Sequence, residues 1–298
     1  MSGDCDKHVS SLSLDPNAFP TFPHPTRRHL GLRALPTYAL PRFPPPLPNP
    51  TERNPRMIRL FHVSDVHFGA EDPAALLWFE HIVQAEAPDA IVFTGDLTMR
   101  ARSAEFLAAG DWLKRLERPI TVEPGNHDLP LLNPVTRLLR PYRRYRALER
   151  MIERPLELET IAIVPLKTTA RFQWRLDWSK GHVSPGSLQR TLAHIAAVPR
   201  DKRILVACHH PLIDAGTRSH GRTQGGSEAL DALAAVGVEA VLTGHVHDPF
   251  DIVAQAGGRT IRLIGAGTLS ERIRASRPSF NEIRIDRTSL AAIPRVMA

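Results

Sequence analysis

Short apolar runs alternate with longer amphipathic segments along most of this chain. The short runs, rich in valine, isoleucine and leucine, predict strands over residues 57–63, 90–94, 120–122, 161–164, 203–208 and 239–242. Apolar residues at helical spacing predict helices over residues 73–87, 103–116, 136–152, 184–195 and 228–236, with a break in the third near Pro141. Strand-like runs follow over residues 251–254, 260–264, 279–285 and 291–296, and Pro294 makes the last an edge strand. This alternation predicts an α/β protein whose sheets are covered by helices.

Residues 1–56 lack this alternation and hold twelve of the 27 prolines. Proline fixes φ and has no amide donor, so this density predicts a disordered or locally extended N-terminal extension before a domain over residues 57–298. Four interpretations fit this composition. The extension is a dispensable linker, translation starts at Met57, residues 41–50 form a polyproline recognition segment, or the segment is an organellar transit peptide.

The composition sets broad limits on this protein. Its 298 residues are 42% hydrophobic, enough for one sizeable core or at most two domains. A net charge of +7 is compatible with phosphate-bearing partners. Cys5 and Cys208 lie far apart without a CxxC spacing, so neither a disulfide framework nor a thiolate zinc site is predicted. No apolar run approaches the roughly 18 residues needed to cross a bilayer, and we expect a cytoplasmic protein without a membrane partner.

Polar residues cluster where predicted strands end. In a sheet of parallel strands, ligands collect in the crevice at the carboxyl ends, so these clusters are expected to converge in space. One such residue alone is most often a turn former or a helix cap. Their recurrence in order along the chain favours a functional site. The clusters are Asp65-Val66-His67, Gly95-Asp96, Gly125-Asn126-His127-Asp128, His209-His210 and Gly244-His245-Val246-His247.

These clusters supply carboxylate, imidazole and amide ligands in numbers that suit two metal ions. Two ions roughly 3.5–4 Å apart activate a water and neutralise developing charge during phosphate ester hydrolysis. Asp65 and His67 stand two residues apart on a segment predicted to be extended, so they point the same way and share one ion. The same reasoning applies to His245 and His247, and Asp96 is the candidate bridge. Nitrogen and oxygen ligands without thiolate favour manganese, iron, zinc or cobalt.

The five clusters resemble the motifs of the calcineurin-like metallophosphoesterase superfamily, which are DxH, GD, GNH, a lone His and GHxH. The resemblance covers residues 58–250. Residues 94–98, residues 124–128 and His209-His210-Pro211 look most like the cyclic-nucleotide phosphodiesterase branch. The resemblance implies a four-layer α/β/β/α sandwich of two mixed sheets. It also implies a dinuclear metal-dependent phosphoesterase, which hydrolyses a cyclic nucleotide or another small phosphodiester by attack of a metal-bridging hydroxide.

The resemblance implies a role for each position. Asp65, His67, Asp96 and His247 would hold the first ion, and Asp96, Asn126, His209 and His245 the second. His127 would lie at the phosphate and stabilise the transition state or protonate the leaving oxygen, and Asp128 would orient it. His210 would be an outer residue or face the substrate.

Two further segments bear on the substrate. Arg218 and His220 lie in a loop that directly follows a ligand cluster, and they are candidate substrate-binding residues together with His210. Residues 137–154 contain seven arginines and two glutamates. We interpret this segment as a solvated amphipathic helix, rather than a nucleic-acid-binding one, because no aromatic stacking platform accompanies it.

Three functions compete and the sequence ranks them, and hydrolysis of a lipid-precursor pyrophosphate, which would require an apolar groove, is a further alternative. A phosphodiesterase acting on a small phosphoester comes first. A metal-dependent DNA nuclease of the same superfamily comes second, because little chain follows residue 250 to build a DNA-capping domain. A non-catalytic scaffold comes last, because the chain retains every ligand and the GNH histidine.

Overall fold

The computed structural model describes residues 56–130, 133–152, 156–170, 172, 179–218 and 223–298. The predicted extension, apart from Arg56, lies outside these residues. The elements are β1 (Ile58–Val63), α1 (Pro73–Glu86), β2 (Ala90–Phe93), α2 (Ser103–Arg115), β3 (Ile120–Val122), α3 (Pro134–Leu139), α4 (Arg143–Ile152), β4 (Ile161–Pro165), α5 (Pro185–Ala196), β5 (Arg203–Ala207), α6 (Gly226–Ala235), β6 (Ala240–Thr243), β7 (Phe250–Ala256), β8 (Arg259–Gly265), β9 (Ser279–Ile285) and β10 (Leu290–Val296).

The strands form two mixed five-stranded sheets. The first has the order β10-β9-β1-β2-β3, and the second has the order β4-β5-β6-β8-β7. In the first sheet β1, β2 and β3 run parallel, and β9 and β10 join them antiparallel. In the second sheet only β7 is antiparallel to its neighbour. The predicted pair of mixed sheets is confirmed, and β10, which contains Pro294, is an edge strand as predicted.

Three hydrophobic clusters separate four layers. One lies between the sheets, where Leu60 and Val92 of the first sheet join Leu205 and Leu242 of the second. Another packs α1, α2 and α4 against the first sheet around Trp112. The third packs α5 and α6 against the second sheet. Because each sheet is covered by the other sheet on one face and by helices on the opposite face, the layers are α/β/β/α, as expected.

Local signals set where helices begin and break. The Asp72 carboxylate accepts hydrogen bonds from the amides of Ala74 and Ala75 and caps α1, which begins at Pro73. The predicted break near Pro141 separates α3 from α4, because proline cannot donate the helical hydrogen bond. No helix among the described residues is long and apolar enough to span a membrane.

Candidate metal centre

Loops at the carboxyl ends of parallel strands carry all the predicted ligands. They are Asp65 and His67 after β1, Asp96 after β2, Asn126 after β3, His209 after β5, and His245 and His247 after β6. Backbone hydrogen bonds join neighbouring loops, with Asp65 N donating to Gly95 O at 3.0 Å and Gly244 N to His209 O at 2.9 Å. Residues far apart in sequence are therefore held at one edge of the two sheets.

Left-handed backbone is concentrated in these loops. Asp65, His67, Asp96, His245 and His247 all have φ between 51° and 72°. The predicted extended geometry of the Asp65–His67 and His245–His247 pairs is wrong. Each pair turns sharply, so this curvature and not a strand pleat sets the side-chain directions. Asp65 and His67 lie in one ligand group together with His247, whereas His245 lies beside His209, so the expectation that His245 and His247 share one ion is wrong. Non-glycine residues in this conformation cost about 1–3 kcal/mol each and persist where the surrounding structure enforces them, often at functional sites.

The first ligand group contains Asp65, His67 and His247. His247 Nε2 lies 3.1 Å from Asp65 Oδ1, and His67 Nε2 lies 3.6 Å from the same oxygen. The Nε2 atoms of the two histidines are 3.2 Å apart. Three ligand atoms from two sheets thus converge on one small volume, all within 4.8 Å of one another.

The second ligand group surrounds His209. Its Nε2 lies 3.2 Å from Asn126 Oδ1 and 3.3 Å from Asp96 Oδ2. The His245 ring lies beside it, with 5.2 Å between centroids. Asp96 Oδ2 is also 3.8 Å from His67 Nε2 in the first group. Asp96 therefore lies between the two groups.

The two aspartates present their oxygens in the same way. Asp65 Oδ2 accepts a hydrogen bond from His245 N at 2.7 Å, and Asp96 Oδ1 accepts one from His127 N at 2.8 Å. The other oxygen of each turns toward the ligand groups. Asp65 Oδ1 is buried and has no hydrogen-bond partner among the described residues. A buried anionic oxygen without a donor is costly, and a cation would satisfy it, so these residues fit a metal site.

Backbone carbonyls orient two of the histidines. His209 Nδ1 donates to Thr94 O at 2.7 Å, and His247 Nδ1 donates to Arg272 O at 2.6 Å. With Nδ1 protonated in each ring, Nε2 faces the ligand groups with its lone pair free for a metal. Metal-binding histidines in proteins are commonly held by such outer hydrogen bonds.

The charges in the centre favour binding of cations. Burial opposes ionisation of Asp96, but His209 and the neighbouring histidines hold the pKa of this carboxyl well below its usual range. Burial also opposes ionisation of Asp65, but His247 chiefly holds the pKa of this carboxyl well below its usual range. Burial lowers the pKa of His245 to about 3, which keeps this ring neutral. Two ionised carboxylates and the neutral ring of His245 are good ligands for divalent ions.

His127 and Asp128 adopt a different arrangement from the one expected. The His127 ring lies in the cluster, 4.8 Å from the His67 ring, but its Nδ1 donates to Met99 O at 2.7 Å. The Asp128 carboxylate accepts from the amides of Thr98 and Gly125 instead, at 2.8 and 2.9 Å. The expected orientation of His127 by Asp128 is thus wrong, because a backbone carbonyl holds the ring. Asp128 ties the loops after β2 and β3 together.

The candidate substrate-binding residues differ in their surroundings where the structure describes them. His210 is buried, its Nε2 donates to Ser179 O at 2.9 Å and its Nδ1 is 2.9 Å from Thr168 Oγ1. Both ring nitrogens are engaged by the protein, which argues against a substrate-facing role for His210. Arg218 is exposed, and His220 lies outside the described residues.

Arg272 was not predicted from the sequence, although it contacts two residues of the centre. Its carbonyl orients His247, and its Nη1 lies 3.1 Å from His127 Nε2. No motif surrounds Arg272. The one available signal is that it follows β8, a strand parallel to β6 whose carboxyl end therefore reaches the same edge.

The chain is similar to known phosphoesterases. A family model described as calcineurin-like phosphoesterase matches residues 58–249. A probable cyclic nucleotide phosphodiesterase from Pseudoalteromonas sp. (strain SM9913) is 27% identical over 207 residues, which cover 65% of this chain and 72% of that protein. A probable glycerophosphodiester phosphodiesterase from Arcobacter nitrofigilis is 30% identical over 166 residues, which cover 54% of this chain and 57% of that protein. The chain thus matches little more than half the length of this second relative.

Solved structures share the architecture. A dimetal phosphatase from Danio rerio superposes with a TM-score of 0.51 at 14% identity, over 79% of this chain and 98% of that one. Purple acid phosphatase PPD1 from yellow lupin seeds superposes with a TM-score of 0.53 at 14% identity, over 81% of this chain and 52% of that one. At 14% identity, this similarity shows that the chain shares the fold of these two proteins.

Proposed function

The chain belongs to the calcineurin-like phosphoesterase family and is a phosphoric ester hydrolase, and we propose that it cleaves small phosphodiesters with the help of two metal ions. The main support for two ions is the position of Asp96 Oδ2, which lies 3.8 Å from His67 Nε2 and 3.3 Å from His209 Nε2. One carboxylate oxygen shared by two ligand groups supports two ions rather than one.

Each group would hold one ion. Asp65, His67 and His247 would hold the first, Asn126, His209 and His245 the second, and Asp96 would bridge them. Manganese, iron, zinc and cobalt all suit this set of nitrogen and oxygen ligands. The ions would supply an activated water and positive charge opposite the phosphoryl oxygens.

The protein's own groups would orient the ester and stabilise the leaving oxygen. Met99 O holds His127 Nδ1, and Nε2 lies 3.1 Å from Arg272 Nη1. In its protonated form, the ring would donate from Nε2 to the phosphate or to the leaving oxygen. The carbonyls of Thr94 and Arg272 keep the rings of His209 and His247 in one orientation. These contacts pre-organise the ligands, so little reorganisation is needed during reaction.

The proposal of a diester rests on the sequence resemblance and on the two relatives. Both relatives are named as probable phosphodiesterases, one for cyclic nucleotides and one for glycerophosphodiesters. A DNA nuclease is less well supported, because neither of these two relatives is named as a nuclease.

The test measures metal content and hydrolysis together. We expect wild-type protein loaded with manganese to bind two ions per chain and to hydrolyse bis(p-nitrophenyl) phosphate. His209→Ala removes a ligand of the second ion and should lower kcat about a hundredfold or more. His194→Ala is the matched control, because His194 is exposed on α5. One ion per chain, or no turnover with any of the four metals, would contradict the proposal.

A substrate panel tests the ester class. We expect diesters to exceed p-nitrophenyl phosphate in kcat/KM by about tenfold or more, since binding energy is spent on the second ester group. Cyclic nucleotides and glycerophosphodiesters in the same panel separate the two activities for which the relatives are named. Preferential cleavage of duplex DNA ends would instead favour the nuclease.

A further inference from the structure

The loop that carries Arg272 is fastened to the metal-binding segments on both sides. Before it, Thr268 Oγ1 donates to Asp65 O at 2.5 Å. At its centre, the carbonyl of Arg272 accepts from His247 Nδ1. After it, the Asp248 carboxylate accepts from the amides of Ala275 and Ser276 at 2.9 and 3.2 Å. The backbone around Arg272 is therefore held in place relative to the proposed ions.

The Arg272 guanidinium lies beside His127. Its Nη1 is 3.1 Å from His127 Nε2 and 3.7 Å from Met99 Sδ. Because His127 Nδ1 donates to Met99 O, Nε2 accepts the hydrogen bond from Arg272. The arginine is half-buried, and among the described residues no carboxylate forms an ion pair with it. A partly desolvated cation without a carboxylate partner is an unsatisfied anion-binding group.

We propose that Arg272 is a phosphate-binding residue, whose guanidinium donates hydrogen bonds to a non-bridging oxygen of the substrate phosphate beside His127. This inference rests on the proposed function, because it requires a phosphate at the metal centre. A guanidinium presents five N–H donors in a planar fork, so Arg272 keeps donors for phosphate while it contacts His127. It adds a positive charge that remains in place as negative charge develops on the phosphoryl oxygens.

The backbone and the side chain of Arg272 make different contacts, so a substitution can remove one and keep the other. The carbonyl that orients His247 belongs to the backbone and persists in Arg272→Ala. The guanidinium is lost in that variant. A role in phosphate binding therefore predicts that metal content survives and phosphate affinity falls. A purely structural role predicts that metal content and phosphate affinity are both unchanged, or that both fall.

The experiment compares wild-type protein with Arg272→Ala, Arg272→Lys and Arg274→Ala, all loaded with manganese. Arg274 is an exposed arginine of the same loop and serves as the control. Calorimetry with inorganic phosphate should show the dissociation constant of Arg272→Ala raised about tenfold to a hundredfold, with Arg272→Lys intermediate and Arg274→Ala within about twofold of wild type. Elemental analysis should give unchanged metal content in all four proteins.

Hydrolysis of bis(p-nitrophenyl) phosphate adds a second readout. We expect kcat/KM of Arg272→Ala to fall about tenfold or more, and guanidinium chloride well below denaturing concentrations to restore part of it. Phosphate affinity within about twofold of wild type, or loss of metal from Arg272→Ala, would overturn the inference. Phosphate binding is measured without turnover. If wild type binds phosphate through Arg272 but cleaves no ester, the proposed function fails and the phosphate-binding role stands.

Discussion

At the scale of single residues, two glycines allow the backbone to approach the carboxylates of the metal centre. A Cβ at Gly125 would lie 2.0 Å from Asp96 Oδ1, and a Cβ at Gly244 would lie 2.6 Å from Asp65 Oδ2. Both distances are far below van der Waals contact. Glycine is required at these positions by space, since any side chain would displace an aspartate from the ligand groups.

Gly125→Ala is predicted to damage the metal centre more than the fold. The added methyl group would push Asp96 away from the second ligand group, so metal affinity should fall about tenfold or more, with a loss of about 1–3 kcal/mol in the free energy of unfolding. Calorimetric titration with manganese and urea unfolding measure the two effects. Gly186→Ala is the control, because its Cβ would meet only Arg190 Nη1 at 3.6 Å. Equal metal affinity in Gly125→Ala and wild type would contradict the prediction.

Asp128→Asn is predicted to loosen two ligand-bearing loops. The carboxylate accepts from Gly125 N at 2.9 Å and from Thr98 Oγ1 at 2.9 Å, and an amide nitrogen in place of one oxygen would face a donor. We expect a loss of about 1–3 kcal/mol in the free energy of unfolding. Urea unfolding measures this loss, with Asp111→Asn on the exposed face of α2 as the control. An unchanged midpoint would show that the loops are held by other contacts.

At the scale of elements, an ion-pair network joins strands β1, β9 and β10 to the end of α1. Glu282 on β9 is buried and contacts Arg59 Nε at 2.9 Å, Arg284 Nε at 2.7 Å and Arg295 Nη1 at 2.7 Å. Arg59 and Arg295 also bind Glu86, at 2.5 and 2.7 Å. Glu86 is in the last turn of α1, where a negative charge is unfavourable, and the two arginines offset that effect.

Glu282→Gln is predicted to destabilise the protein in a pH-dependent way. Burial alone would raise the pKa of Glu282, but hydrogen bonds from Arg284, Arg295 and Arg59 lower it from 4.5 to about 2. A carboxyl with a lowered pKa stabilises the fold at pH values above its unfolded pKa. That stabilisation is lost as pH falls from 4.5 toward about 2. At neutral pH we expect Glu282→Gln to lose about 2 kcal/mol in the free energy of unfolding.

Urea unfolding at several pH values tests this prediction. The difference between wild type and Glu282→Gln should shrink as pH falls through the range from 4.5 toward 2. Glu159→Gln, at an exposed position, should stay within about 0.5 kcal/mol of wild type throughout. A difference that does not change with pH would mean that the glutamate acts through packing and not through its charge.

At the scale of the whole molecule, the proposed ions would join the two sheets. Strands of the first sheet are followed by Asp65, Asp96 and Asn126. Strands of the second sheet are followed by His209, His245 and His247. The apolar cluster between the sheets holds them together from one side. Metal ions at the edge would add bonds across the same interface, so metal binding should stabilise the fold as a unit.

Metal removal is therefore predicted to lower the unfolding temperature. Manganese at about a hundred times its dissociation constant should add about 2.7 kcal/mol, which for a domain of this size raises Tm by about 5–10 °C. Scanning calorimetry of chelator-treated and reloaded protein measures the shift. His209→Ala should show a smaller shift than wild type, because one ion loses a ligand. The same Tm with and without metal would contradict the prediction.

Much of the fold was predictable from local pattern. The apolar periodicity marked each strand and helix, Pro141 marked the break between α3 and α4, and Pro294 marked the edge strand. These features depend on residues close in sequence. The ligand motifs were also readable, because metal chemistry admits few residue types and the family model covers them.

The sequence by itself determined the order of the elements, the α/β class and which side chains could bind metal. Only the tertiary structure decided the left-handed backbone of Asp65 and His67, the burial of His210 and the carbonyl that holds His127. It alone brought Arg272 beside His127, which is 145 residues away in the chain. The reason is physical: periodicity and residue type act locally, whereas a side chain's partners depend on which loops the packing of two sheets brings to the same edge.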